Sequence, residues 1–101
     1  MVKVKSMIST KGNAVPNQFI LWNDEDIYFQ SYKSIIARVQ GYEGVYPVIV
    51  LDSNFWDYSK TTSTYLFKFL SRFGSSVNES INKRLVQKRI DNGDYLLGDL
   101  N

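Results

Sequence analysis

Neither histidine nor cysteine occurs anywhere in this chain of 101 residues. Histidine is the side chain that most often moves protons near neutral pH, and cysteine is a strong nucleophile and zinc ligand. Without them there is no Ser-His or Cys-His triad, no zinc-thiolate site and no disulfide framework. Serine and threonine hydroxyls remain, but a hydroxyl attacks only when a base activates it. No phosphate-binding glycine loop and no EF-hand loop is present. No cofactor is expected, and the chain reads as a protein that is not an enzyme.

Carboxylates are the remaining reactive groups. Asp52 ends an apolar run, a position where metal-dependent nucleases place an acid, and Asp57 follows shortly. No Glu-x-Lys partner completes such a site, and the competing reading is that Asp52 begins a turn or caps a backbone segment. Asp24, Glu25 and Asp26 could hold a cation, or could equally form a solvated hairpin tip.

Three surfaces could bind without chemistry. If Phe19, Leu21, Ile27 and Phe29 turn towards the helices, the opposite sheet face carries Ile20, Trp22, Tyr28 and Tyr32, with Gln30 between the tyrosines and Arg38 on the next strand. Aromatics beside a cation can stack on nucleic-acid bases, though the same residues are good strand formers that cover an open sheet face. Lys83, Arg84, Gln87 and Lys88 lie on one side of the last helix and could meet phosphate or an acidic groove, or simply be solvated. Asn54 to Ser59, with Phe55, Trp56 and Tyr58, supplies either contact anchors or a plug at a corner of the core.

The elements that must position these residues follow from the apolar pattern. Val2 and Val4 alternate with Lys3 and Lys5, as in an edge strand guarded by lysines. Gly12, Asn13 and Pro16 interrupt the pattern. Asn17 to Trp22 and Ile27 to Tyr32 form a hairpin across Asn23–Asp26. Ser34 to Gln40 alternates with Ile35, Ala37 and Val39 on one side. After the turn at Gly41–Gly44, Val45 to Leu51 is apolar at both parities, which predicts a strand covered on both faces, with Pro47 near its start or at an edge.

The pattern changes after Asp52. Thr61, Thr62 or Ser63 can cap a helix to about Phe73 with Leu66, Phe69, Leu70 and Phe73 as its buried stripe and Gly74 beyond its end. Lys68 and Arg72 lie one turn apart on another side of it. Ser76 to Glu79 has capping-box spacing, predicting a second helix to about Asp91 with Val77, Ile81, Leu85, Val86 and Ile90 inward and Asn92-Gly93 at its end. Arg89 falls among those apolar positions. Tyr95 to Leu97 can dock as a short strand. The expected fold is a single α+β domain over residues 1–101, an antiparallel meander of four to five strands followed by two helices on one face.

Composition supports this class. The chain is 44% hydrophobic and 22% charged, as in an ordinary globular protein, and 15% aromatic. Twelve basic and ten acidic residues leave a net charge of +2, too balanced to mark a dedicated nucleic-acid binder or an acidic mimic of DNA. No apolar run reaches bilayer length, and the first residues lack a signal-peptide core, so a cytoplasmic setting is expected.

Three segments, Lys11–Phe19, Phe29–Ala37 and Trp56–Ser63, carry a family resemblance. Around them most of the chain resembles small proteins of phages and mobile elements of low-GC Gram-positive bacteria. No catalytic residue carries over. Small proteins of this setting that lack cofactor motifs include anti-CRISPR proteins, so the resemblance implies an inhibitor that binds a Cas9-type effector in the host cytoplasm and blocks DNA loading or cleavage. The alternative is a nucleic-acid-binding module using the aromatic sheet face. The residues expected to make contact are Trp22, Tyr28, Tyr32, Arg38, Trp56, Tyr58, Lys83, Arg84 and Lys88.

Overall fold

The computed structural model describes residues 2–74 and 80–101. Strands β1 (Lys3–Ile8), β2 (Ala14–Trp22), β3 (Asp26–Ser31), β4 (Ser34–Gln40) and β5 (Val48–Asp52) form an antiparallel meander. Helices α1 (Lys60–Phe73) and α2 (Lys83–Asp91) follow, and β6 (Tyr95–Gly98) returns beside β5. The α+β expectation holds, but the sheet has six strands and its last pair is parallel. A parallel neighbour needs a long crossover, which the two helices supply.

The register puts Trp22, Ile27, Val39, Ile49 and Tyr95 in one row across the sheet, and Ile20, Phe29, Ala37, Leu51 and Leu97 in the next. Both rows face the helices. The core joins them, apart from half-exposed Leu97 at the edge, to Leu66, Phe69 and Leu70 of α1 and Val86 of α2, with the rings of Phe29 and Phe69 stacked at 5.8 Å. The α1 stripe is the expected one, with Phe73 packed against its rim. Its N-cap is Ser59, ahead of the expected Thr61–Ser63, and the Ser59 hydroxyl accepts from the Thr62 amide at 3.1 Å. Buried Thr62 instead shares a hydrogen bond with Ser31 at 2.8 Å, tying α1 to the sheet.

Several sequence expectations are corrected. The capping box at Ser76–Glu79, and Val77 with it, lies outside the described residues. Residues 80–82 are not helical; α2 begins at Lys83, and the Asn82 side chain caps it by accepting from the Leu85 amide. Arg89, half-buried among those apolar positions, donates to the Tyr95 hydroxyl at 2.9 Å with its guanidinium 5.5 Å from that ring's centre. In β4 a register shift opposite Phe29/Gln30 makes Ile36 an extra, buried residue, so Ile35 pairs with Gln30 and does not share a face with Ala37. Strand β5 starts at Val48, after Pro47, and leaves Val45 and Tyr46 in the loop. Only one face of β5 is covered: Ile49 and Leu51 are buried, while Val48 is exposed.

Asp52, fully buried, closes the structure. One carboxylate oxygen accepts from the Asn54 and Phe55 amides, both at 3.0 Å; the other accepts from the Leu100 amide at 2.8 Å and the Asn101 side chain at 3.1 Å. Asn101 also exchanges two hydrogen bonds with the Ile35 backbone, at 2.7 and 2.9 Å. Removing a buried acceptor strands its donors. Asp52→Ala should therefore lower stability by on the order of 3 kcal/mol, read as a drop in the urea midpoint, with Asp52→Asn costing less. Gln18 is the opposite case. It is fully buried on the helix side of β2, and its amide meets no hydrogen-bonding group among the described residues. Gln18→Met should raise stability by about 1 kcal/mol, seen as a higher midpoint in the same titration.

Candidate functional site

The sheet face away from the helices is lined by a second set of cross-strand neighbours. Val4, Leu21, Tyr28, Arg38, Val50 and Leu96 stand opposite one another in turn, one from each strand. Phe19, Gln30 and Ile35 extend the face along one side, and Val48 along the other. At its margins Val4 is 60% and Leu96 48% exposed, and the central residues are half-buried. The β4–β5 loop beside Val48 presents Val45 and Tyr46 at 85% and 90% exposure.

A polar knot sits at the centre of this face. Arg38 donates to one oxygen of Asp26 through Nη2 at 2.8 Å and Nε at 3.2 Å, and the Tyr28 hydroxyl reaches the same oxygen at 3.4 Å. The other oxygen accepts from the Gly41 amide at 3.3 Å. The hydrogen bond to Asp26 raises the pKa of the Arg38 guanidinium, despite opposing desolvation. Asp26 is therefore buried and paired, and only Asp24 and Glu25 remain as an exposed hairpin tip. Arg38 lies 5.9 Å from the centre of the Tyr28 ring. The knot is electrically closed, so a partner can bury it without isolating a charge.

Tyr28 and Arg38 are thus brought together as expected, but Trp22 is not with them. The Asn23 amide donates to the Asp26 carbonyl at 3.0 Å, and the Asn23 side chain accepts from the Glu25 and Asp26 amides. This closes the hairpin over Asp24 and Glu25 and sets Trp22 opposite Ile27. Directly opposed residues share a face, so Ile20 and Trp22 turn to the helices while Phe19 and Leu21 take the open face. Tyr32 lies in the β3–β4 turn at φ 56° and is half exposed, off the Tyr28 row.

The segment after β5 divides in two. Trp56, at 8% exposure, belongs to the core and acts as the corner plug, whereas Tyr58 is exposed and meets the Phe55 ring edge-on at 5.5 Å. Asp57 pairs at 3.0 Å with Lys83, a member of the expected basic helix face. Arg84, Gln87 and Lys88 are exposed on α2 with Lys83. The chain does carry one Ser-x-x-Lys spacing, Ser80 to Lys83. Lys83 is exposed and ion-paired there, away from the buried setting that a lysine base requires. Asp52, with four donors on two oxygens, has its acceptor sites occupied by the fold.

Sequence reasoning missed Val4, Phe19, Leu21, Val45, Tyr46 and Leu96 as surface residues. Pro47, which cannot donate to a ladder, was the available signal for Val45 and Tyr46. No helix among the described residues is long and apolar enough to cross a membrane.

No curated protein and no solved structure matches the chain. A family model, described as a family of unknown function (DUF8033), matches residues 2–90. The match spans every strand of the meander, all of α1 and most of α2, and on that extent the chain belongs to the family of unknown function DUF8033.

Proposed function

We propose that this protein acts by binding another macromolecule through the uncovered face of its sheet, without chemistry of its own. The observation that carries this reading is the row from Val4 to Leu96, a largely apolar series around one closed ion pair on a side of the six-stranded sheet that no described element covers. Strands about 4.8 Å apart and about six residues long make that face roughly 600 Å². Exposed faces of largely apolar character and this extent often mark interaction sites. With Val45 and Tyr46 it approaches the roughly 800 Å² that each partner commonly contributes to a stable complex.

The chemistry of the face favours a protein partner over a nucleic acid. Its central cation, Arg38, is already paired with Asp26. Its aromatic residues are reduced to Phe19 and Tyr28, with Tyr32 at the margin, because Trp22 lies on the other side. Nucleic-acid binding needs free cations for phosphate as well as rings for stacking. An apolar centre holding Tyr and a paired Arg is the composition of a protein interface.

The resemblance to phage and mobile-element proteins supports a Cas9-type effector in the host cytoplasm as the first partner to test, with the protein serving as an anti-CRISPR inhibitor. The chain should co-elute with guide-loaded effector and lower its DNA cleavage. Tyr46→Ser combined with Leu96→Glu should weaken association by about tenfold or more, while Arg84→Ala with Lys88→Ala leaves it intact. Absence of both association and inhibition defeats the Cas9-specific reading. Unchanged binding by the sheet-face variant, to this or any captured protein, defeats the surface assignment.

A further inference from the structure

On the helix side of the sheet, near the β1 edge, a cleft opens between the sheet and the second half of α1. It consists of two hollows of about 240 and 190 Å³ that share Lys5, Ile20 and Arg72 as walls. Trp22, Tyr42 and Phe73 line the first, and Lys68 reaches the second. Lys5 stands opposite Ile20 and Lys3 opposite Trp22, so both lysines of β1 lean over this side.

The charge of the cleft is one-sided. Lys5, Lys68 and Arg72 converge on it from two elements, and no acidic residue among the described residues lines either hollow. None of the three forms a salt bridge among the described residues. Lys68 and Arg72 are also one turn apart on α1, a like-charge spacing that works against the helix. The Arg72 guanidinium lies 5.0 Å from the centre of the Phe73 ring. Three cations around a floor that includes Trp22, Tyr42 and Phe73 suit a ligand that is both flat and anionic. The aromatic faces accept a ring, and the cations at the mouth accept its phosphate. The paired hollows fit the lower end of the roughly 300–1,000 Å³ range of small-molecule sites and are too confined for a duplex.

We propose that the cleft between β1 and α1, built from Lys5, Trp22, Tyr42, Lys68, Arg72 and Phe73, binds a nucleotide unit, with its base against the aromatic wall and its phosphate between Lys5 and Arg72. The unit can come from a free nucleotide or from a single strand, since both offer the same base and phosphate. This site is separate from the uncovered sheet face and does not depend on it.

The test uses tryptophan fluorescence of the full chain at low salt. Trp22 lines the cleft and Trp56 is buried in the core, so ligand in the cleft should quench part of the emission, and Trp22→Phe should abolish the change. Adenosine and uridine monophosphate report a free-nucleotide site, oligo-dT reports a strand site, and binding by either supports the proposal. With oligo-dT, affinity should fall with salt, and Lys5→Glu or Arg72→Glu should each weaken binding by about tenfold and reduce the logarithmic salt slope by about 1. Both side chains are exposed, and far-UV circular dichroism confirms that each variant folds. The proposal is overturned if none of the three ligands binds at millimolar concentration. It is equally overturned if both charge reversals bind as well as the parent, or if inorganic phosphate competes as well as a nucleotide does. Retained quenching in the Tyr46→Ser/Leu96→Glu variant separates this site from the sheet face.

Discussion

The carboxylate of Asp52 is where three pieces of the chain meet. It receives the two amides that turn the chain out of β5, the amide of Leu100, and the side chain of Asn101. Asn101 then grips the backbone of Ile35 in β4. A buried carboxylate is tolerated only when hydrogen bonds replace the water it has lost, and here every donor comes from the chain's own path. The parallel seating of β6, and the crossover that brings it there, both lean on this one side chain. It belongs to the architecture, while the exposed surfaces are set elsewhere in the sheet.

Those surfaces follow from an unequal division of the sheet. The two rows that face the helices bury nearly every large aliphatic side chain, and α1 covers the centre through Leu66, Phe69 and Leu70. The reverse side has the same strand-forming residue types but no element among the described residues laid over it. Apolar residues on both parities of β5 therefore mean different things: Ile49 and Leu51 build the core, whereas Val48 and Val50 belong to the side that stays open. At the β1 edge the covered side has a margin of its own, where α1 does not fully close over Ile20 and Trp22 and cations gather at the gap.

Much of the layout was legible because it is written locally. The i, i+3, i+4, i+7 series from Leu66 to Phe73 marks α1, and Asn92 before Gly93, at φ 85°, ends α2. What was not legible depends on contacts far apart in sequence or on a single-residue shift. The side taken by Trp22 follows from how Asn23 and Asp26 close the hairpin, and a shift of one residue exchanges the two faces. Ile35 and Ala37 share a parity in sequence and part company only because of the bulge at Ile36. The parallel placement of β6 rests on a connection that passes through two helices, and no short window contains it. Trp56 and Tyr58, two residues apart, offered identical credentials as contact residues; the packing of the corner separates one into the core and the other into solvent.

The strand order carries a consequence for how the molecule comes to be made. From β1 to β5 each strand lies beside its immediate predecessor, so this part can assemble through successive short-range hairpins. The pairing of β6 with β5 instead closes a loop of about 40 residues, and the entropy of that closure must be met before its contacts are gained. During synthesis the meander emerges first, and until Tyr95–Gly98 arrive β5 is a sheet edge with unpaired backbone groups. The seating of β6 moves that edge outward and exchanges a five-residue strand for a four-residue one, and shorter edges are poorer templates for pairing with a neighbouring chain.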